Sequence, residues 1–163
     1  MQQHNAQYYE TKQCSPQWRA FLAAFATQFA SKGDVSDLRN LMHSLGRTMA
    51  QQFPLYDDSS LDALQAAMNR VWSEIDWGWV ELAEEAEALV VAHHLSPLKV
   101  AFGSESLGWS PALLEGIYAQ WFERLGMNAS LQLTQRGDAL EDGQLFIYEL
   151  KKKREETAYF SRR

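Results

Sequence analysis

Four glutamates within seven residues form a cluster that could do acid–base chemistry in this 163-residue chain. They are Glu81, Glu84, Glu85 and Glu87. Two carboxyl groups held at a fixed separation across a cleft can hydrolyse a glycosidic bond. A charged hairpin tip that discourages edge-to-edge aggregation is the commoner explanation for such a cluster. We therefore keep glycoside hydrolysis by this cluster as an alternative, and we predict no catalytic residue.

The histidines and the single cysteine do not form a pattern typical of a metal site. His93 and His94 are adjacent, and on a strand their side chains would point to opposite faces, so one ion could not easily bind both. Cys14 alone can form neither an intramolecular disulfide nor a thiolate cluster. The sequence also has no glycine-rich phosphate loop and no dinucleotide fingerprint. It predicts no metal, no cofactor and no enzyme activity.

Aromatic side chains near the N-terminus are candidates for binding. Tyr8 and Tyr9 lie in a segment rich in glutamine and tyrosine, and they could stack on a sugar ring or fill a groove of a partner. Trp18 follows in the apolar stripe of the first predicted helix. We predict that these three residues bind a sugar or a partner protein.

Composition limits the classes of partner. The chain is 46% apolar and carries a formal net charge of −6, so it can bury a sizeable core and is not expected to bind nucleic acid. The first 14 residues lack the apolar core of a secretory signal peptide. The apolar runs are far shorter than the ~20 residues that a spanning helix needs. We expect a soluble protein that is not exported by the general route.

Apolar residues recur every three or four positions in four segments, which predicts four helices. Two of them, the first and the fourth, begin with the same Ser-Pro pair, a capping residue followed by proline at the first helical position. The predicted helices run from Ser15 to Gly33, from Asp34 or Ser36 to the residue before Pro54, from the turn at 57–60 to Ile75, and from Ser110 to Gly126.

Alternation of apolar and polar residues predicts two β-hairpins. The first pairs 77–84 with 86–94, although a helix over 80–92 competes because alanine and glutamate favour helices. A strand that begins at residue 77 would place Trp77 and Trp79 on one face. The intervening segment, 95–108, is predicted to be a loop. The second hairpin pairs 129–136 with 144–152.

The order of elements predicts an α+β fold. Three helices, a hairpin, a helix and a second hairpin favour a four-stranded antiparallel sheet covered by helices. We predict one domain over residues 15–152, preceded by a flexible arm at 1–14. The mixed charges of 153–163 predict a solvated C-terminal tail.

Three segments resemble the bacterial cellulose synthase D subunits. Ile75-Asp-Trp-Gly-Trp-Val-Glu-Leu82 is similar to the Ile-Asn-Trp-Gly-Tyr-Val segment of that family. Leu113-Leu-Glu-Gly-Ile-Tyr118, followed by Trp121, is similar to the Leu-Glu-Gly-Leu-Tyr-x-x-Trp helix. Gly46-Arg47-Thr-Met-Ala50 resembles the Gly-Arg-x-Met-Ala segment of the second helix. The order and spacing also agree, and the similarity runs from about 38 to 150.

The resemblance implies a non-enzymatic accessory subunit. Members of the family assemble into a cylinder of four dimers, so it implies a homo-octamer that orders nascent glucan chains, or the synthases that extrude them, into crystalline fibrils. The implied partners are the cellulose synthase complex and a proline-rich accessory protein of the same operon, with β-1,4-glucan as a candidate ligand. We expect a cytoplasmic location beside the inner-membrane synthase, whereas a glucan conduit would require the periplasm.

The motifs that carry the resemblance are structural. We therefore predict that Trp77, Trp79, Glu115, Tyr118 and Trp121 anchor the core or a subunit interface. The alternative function is a β-glucan-binding or glucan-hydrolysing protein that uses the Glu81–Glu87 acidic cluster. A small-ligand-binding α+β domain is a third interpretation, for which the sequence suggests no pocket residues.

Overall fold

A computed structural model describes residues 8, 11–56 and 59–154. It confirms the α+β fold, with a four-stranded antiparallel sheet in the predicted order of elements. The helices are α1 Pro16–Ala30, α2 Val35–Ala50, α3 Leu61–Glu74, α4 Leu98–Phe102 and α5 Ala112–Arg124, with 3₁₀ turns at Ser104–Gly108 and Glu141–Gly143. The strands are β1 Trp79–Glu84, β2 Ala88–His94, β3 Leu131–Gln135 and β4 Leu145–Lys152.

The two predicted hairpins join through their second strands. The order in the sheet is β1-β2-β4-β3, and each neighbouring pair is antiparallel. β2 pairs with β4 from Ala88 opposite Lys151 to His94 opposite Leu145. β1 and β3 are therefore the two edges of the sheet.

The core lies between one face of the sheet and the helices. Alternate residues of β4 (Phe146, Tyr148 and Leu150) are buried, as the pleat of a strand requires. Trp72 of α3 and Trp121 of α5 pack against each other with ring centroids 5.1 Å apart. These large side chains exclude water from the centre of the domain.

Two glycines let α2 and α5 cross in backbone contact. A Cβ atom on Gly46 would lie 2.0 Å from the carbonyl oxygen of Leu113, and one on Gly116 would lie 2.0 Å from that of His43. Both distances are far below van der Waals contact, so neither position has room for a side chain. This crossing explains why two of the segments that resemble the family contain glycine.

The prediction that 95–108 is a loop was wrong. The segment contains α4 and a 3₁₀ turn, and Leu98 and Ala101 are buried. Helix α4 packs against α1, so tertiary contacts stabilise a helix that would be too short to form alone. Gly103, with φ of +86°, ends it.

The prediction that Trp77 and Trp79 share a face was also wrong. Asp76 and Gly78 adopt φ of +56° and +78°, so the chain turns at Trp77 and the strand begins two residues later. The Trp77 ring stacks on Trp72, whereas the Trp79 ring stacks on His94 on the other face of the sheet and is 40% exposed. Trp77 thus joins the core and Trp79 does not.

Part of the predicted arm lies against the domain. Residues 11–13 are helical, Cys14 is buried, and the side-chain amide of Gln13 donates a hydrogen bond to the carbonyl of Leu95. Arg19 donates to the carbonyl of Cys14 at 2.9 Å. Tyr9, most of the remaining arm and residues 155–163 of the predicted tail lie outside the described residues. The flexible arm and the solvated tail stay predictions.

Candidate interaction surface

Helix α1 presents an aromatic face to solvent. Trp18, Phe21 and Phe25, which we call the aromatic face, are 56%, 58% and 44% exposed. They recur at spacings of three and four, so they lie along one side of the helix. Trp18 and Phe21 make an edge-to-face pair with centroids 5.8 Å apart. Phe25 stacks on Phe29, which in turn packs against Trp109.

The rest of α1 does not offset this apolar surface with charge. Ala26 is its one buried residue, and Arg19 is the one charged residue of its sequence. The Arg19 guanidinium is already engaged with the backbone before the helix. A helix on the surface of a soluble protein normally carries charged residues on its solvent side. Helix α1 therefore has the composition of a covered helix, but none of the described residues covers its aromatic face.

Two further observations bear on what could cover α1. Leu41 and Leu45, one turn apart on α2, are 48% and 45% exposed and add apolar surface to the neighbouring helix. Within the residues that the structure describes, no helix has the length and apolar character needed to cross a bilayer.

The structure places the candidate binding residues as follows. Trp18 lies in the aromatic face. Tyr8 is 57% exposed, and the ammonium group of Lys12 lies 4.7 Å from its ring centroid. Phe21 and Phe25 belong to the same apolar stripe of the first predicted helix as Trp18, but the sequence did not single them out as binding residues. The signal that could have identified them is the scarcity of charge on the other sides of the same helix.

Tyr118 and Trp121 are core residues with satisfied polar atoms. The indole N–H of Trp121 donates to the carbonyl of Phe53 at 2.8 Å. The Nε2 atom of His93 lies 2.8 Å from the carbonyl oxygen of Trp77, which can only accept, so this nitrogen carries the proton. The Tyr118 hydroxyl therefore donates to Nδ1 of His93 at 2.6 Å.

The chemistry of this buried pair is structural. Burial lowers the pKa of His93 to about 3, and burial raises the pKa of Tyr118 well above its usual value. His93 is thus neutral and Tyr118 protonated at physiological pH. Neither group is poised to exchange a proton near neutrality.

Glu115 ties α5 to both α2 and β3. Its Oε2 atom accepts the backbone N–H of Gln135 at 2.8 Å and a guanidinium N–H of Arg39 at 3.3 Å. Arg39 also donates to the carbonyl of Gly108. All of these contacts lie within one chain.

The acidic cluster does not form a paired-carboxylate cleft. All four of its side chains are exposed. Glu85 pairs with Arg136 at 2.9 Å, and Arg136 also pairs with Glu149 at 2.6 Å. The hydrogen bond from Arg136 lowers the pKa of Glu85, which is the wrong direction for a general acid. Glu81 lies 3.4 Å from His94 beside the Trp79 ring.

A family model for the D subunit of cellulose synthase matches residues 4–148, which include the aromatic face and the α2–α5 crossing. The chain belongs to this cellulose synthase D-subunit family. A cellulose synthase operon protein D of Komagataeibacter xylinus is 26% identical over 113 residues, covering 68% of this chain and 72% of the relative. The protein of the same name from Komagataeibacter sucrofermentans gives the same figures, and another from Komagataeibacter xylinus is 27% identical over 113 residues with the same coverage. Membership implies involvement in cellulose synthesis.

The structure explains which parts of the family resemblance are architectural. The Gly-Arg segment of α2 and the Leu-Glu-Gly segment of α5 meet at the helix crossing, where Arg47 also pairs with Glu123 at 2.6 Å. The Trp-Gly-Trp segment forms the turn into β1. All three segments contribute to the fold. The exposed aromatic face lies outside them, and these structural roles do not explain it.

Proposed function

We propose that this chain is a non-catalytic accessory subunit of cellulose synthesis that self-assembles through the aromatic face of α1. The assembly organises synthase complexes, or the glucan chains they extrude, so that the chains form crystalline fibrils. The observation that carries the proposal is an exposed aromatic face on a helix with one charged residue, in a member of the cellulose synthase D-subunit family.

A second copy of the chain is the occupant that best fits this face. In a two-fold dimer the same patch covers itself, so one apolar helix supplies both sides of the contact. The three rings expose roughly 300 Å² per copy if each ring has the usual ~150–250 Å² and about half is exposed. The exposed leucines of α2 add to that area. A symmetric pair of this kind is the unit from which a tetramer of dimers would close.

An oligomer is useful here because it repeats a site. A closed particle holds several identical surfaces at fixed spacing, and that spacing raises the effective concentration of whatever binds them. The partners we propose are the cellulose synthase complex and a proline-rich accessory protein of the same operon, on the cytoplasmic side of the inner membrane. β-1,4-glucan is a further candidate ligand, for which Trp18 offers an exposed ring.

Fibril order in cells tests the organising role. We would replace the chromosomal copy in the cellulose-producing host with the variant Phe21→Glu/Phe25→Glu and measure the crystalline fraction of the cellulose and the total glucan. The matched control is Tyr56→Glu, which alters an aromatic side chain that is 87% exposed elsewhere. We expect lower crystallinity for the double variant alone. Crystallinity equal to wild type, at equal protein level, would contradict the organising role.

Turnover of a soluble cello-oligosaccharide tests the absence of catalysis. We expect no hydrolysis above that of buffer, because the carboxylates of the acidic cluster are dispersed on the surface or held by Arg136. Hydrolysis that disappears in Glu81→Gln or Glu85→Gln would establish the alternative function instead.

A further inference from the structure

The β1 edge of the sheet is sealed by side chains of α3. The amide of Asn69 accepts the N–H of Val80 at 2.7 Å and donates to its carbonyl at 2.9 Å. Gln65, one turn earlier on the same helix, accepts the N–H of Leu82 at 2.7 Å. Two amide side chains thus take the place of a neighbouring strand at Val80 and at the N–H of Leu82, which hinders pairing of this edge with another chain.

The β3 edge is sealed only at its ends. In an antiparallel pair, alternate residues turn their backbone groups away from the partner strand. The backbone N–H of Arg136 donates to the carbonyl of Ile147, and the backbone N–H of Lys153 donates to the carbonyl of Ser130. The even-numbered residues thus bond to β4, and the backbone N–H and C=O groups of the odd-numbered residues of β3 point away from it. Glu115 accepts the N–H of Gln135, and the carbonyl of Asn128 accepts that of Leu131.

The centre of this edge remains open. Three outward backbone groups of β3 have no hydrogen-bond partner among the described residues. They are the N–H of Leu133 and the carbonyls of Leu131 and Leu133. A groove of about 450 Å³ runs alongside, between β3 and the helices α2 and α5. It is lined by His43, Arg47, Glu123, Met127, Leu131 and Leu133.

The groove walls are electrically balanced. Arg47 and Glu123 neutralise each other through two hydrogen bonds. Glu115 also lines the groove, and its carboxylate is paired with Arg39 at 3.3 Å. His43 is half-buried, and that burial lowers its pKa, so the imidazole is neutral at physiological pH. The unpaired backbone groups of β3 thus lie along groove walls whose charged side chains are paired. The N–H groups at the two ends of the strand are already hydrogen-bonded.

The mouth of the groove carries surplus positive charge. Lys153 lines the groove, and residues 151–154 also line an adjoining depression of about 570 Å³ with Gln132 and Thr134. Lys151 pairs with Glu149, but among the described residues no ion pair involves Lys152, Lys153 or Arg154. The described residues at this mouth therefore carry an excess of positive charge on a chain whose net charge is −6, and Glu155 and Glu156 follow them in the sequence.

We propose that the open edge of β3 binds an extended acidic segment of a partner polypeptide as an additional strand. The segment exchanges backbone hydrogen bonds with Leu131 and Leu133, as in other cases of strand addition. Its carboxylates meet the cations at 152–154. This site is independent of the aromatic face, so it would serve the same particle as a second kind of contact.

A second copy of the chain is a poor occupant for the same edge. Pairing of two β3 strands about a two-fold axis at Leu133 would be antiparallel, so the cations of 152–154 in the two copies would lie at opposite ends of the pair. The β3 sequence 131–135 has no acidic residue that could meet them. An acidic segment supplies those carboxylates, and a second copy of β3 does not.

Peptide binding to the full-length protein tests the site. The probe is a synthetic seven-residue peptide of alternating glutamate and valine, and the comparison peptide has lysine in place of glutamate. We expect binding of the glutamate peptide to slow hydrogen exchange of the Leu133 amide about tenfold or more, because the amide gains a backbone partner. The Leu82 amide on the sealed edge should not change.

Charge reversal with a matched control separates strand addition from simple attraction. We expect Lys152→Glu/Lys153→Glu/Arg154→Glu to weaken binding of the glutamate peptide by about tenfold or more. The variant Lys32→Glu/Arg70→Glu/Arg124→Glu changes net charge equally at three exposed positions and should bind as wild type. Equal weakening in both variants, equal binding of the lysine peptide, or an unprotected Leu133 amide would each overturn the proposal. So would protection of Leu133 that depends on protein concentration without peptide, which would indicate self-pairing.

Discussion

Helices α1 and α5 have the same Ser-Pro pair at their N-terminal ends, but α1 is largely exposed and α5 is largely buried. Pro16 is the first residue of α1 and Pro111 directly precedes α5, and both helices carry aromatic side chains at helical spacing. In α5 nine residues are buried, whereas in α1 Ala26 alone is buried. Periodicity thus shows which side of a helix is apolar, but it does not show what covers that side.

The charged residues of α1 and α5 do not follow the difference in exposure between the two helices. The buried helix has Glu115 and Glu123, and each is paired with an arginine of α2. The exposed helix has Arg19 alone, bonded to backbone carbonyls. A helix that stays solvated in the functional state would be expected to carry more charge than one that is covered. This comparison favours a functional state in which α1 is covered.

The largest expected difference concerns one phenylalanine from each helix. Phe122→Ala should destabilise the fold by about 3–5 kcal/mol, because it removes a buried ring from α5. Phe21→Ala should change stability by less than about 0.5 kcal/mol at protein concentrations too low for association. Urea denaturation measures both. Similar losses in the two variants would mean that α1 packs within its own chain.

The next largest expected loss of stability comes from the close crossing of α2 and α5 at Gly46 and Gly116. Gly116→Ala should cost about 3 kcal/mol, because the added methyl group must push the α2 and α5 backbones apart. Gly108→Ala is the matched control, since a Cβ there would meet nothing within 4 Å. Denaturation of the two variants side by side decides the point. An unaffected Gly116→Ala protein would show that the crossing is not tight.

A smaller effect follows from the histidine that bonds to α5. The folded-state pKa of His93 is about 3, below its unfolded value of about 6.5. The unfolded chain therefore binds an extra proton between these values, so His93 contributes full stability above pH 6.5 and loses it as the pH falls. We expect a loss of about 2 kcal/mol from this group between pH 6 and pH 4.5.

The variant His93→Gln isolates that contribution. It cannot titrate, so its stability should fall less steeply than that of wild type over the same pH range. The carboxylates whose pKa values are lowered by arginine or lysine remain in both proteins and cancel in the comparison. Equal slopes in the two denaturation series would show that His93 is not neutral in the folded protein.

Much of the fold follows from local sequence signals. Asp34 and Ser60 cap α2 and α3 as their residue types suggest, and alternation predicted all four strands to within two residues at each end. Helix α4 did not follow, because five residues become helical only when they pack on α1. The turn at Trp77 did not follow either, because it depends on a positive φ at Asp76, which is not glycine.

The sequence predicted the candidate interaction surfaces less completely than it predicted the fold. Trp18 was identified from sequence, but Phe21 and Phe25 were indistinguishable from core residues until their exposure was known. The groove beside β3 combines α2, α5 and β3, which are distant in sequence. No local pattern encodes which strand lies at an edge, or which side chains seal it.

Sedimentation velocity over a range of concentrations tests self-assembly through α1 most directly. The proteins are wild type, the variant Trp18→Ser/Phe21→Ser/Phe25→Ser, and the control Tyr56→Ser. We predict that wild type and the control sediment as the same oligomer at micromolar concentration. The triple variant should sediment as a smaller species with an unchanged circular dichroism spectrum. A monomeric wild type, or a folded triple variant that keeps the full oligomeric mass, would contradict the account.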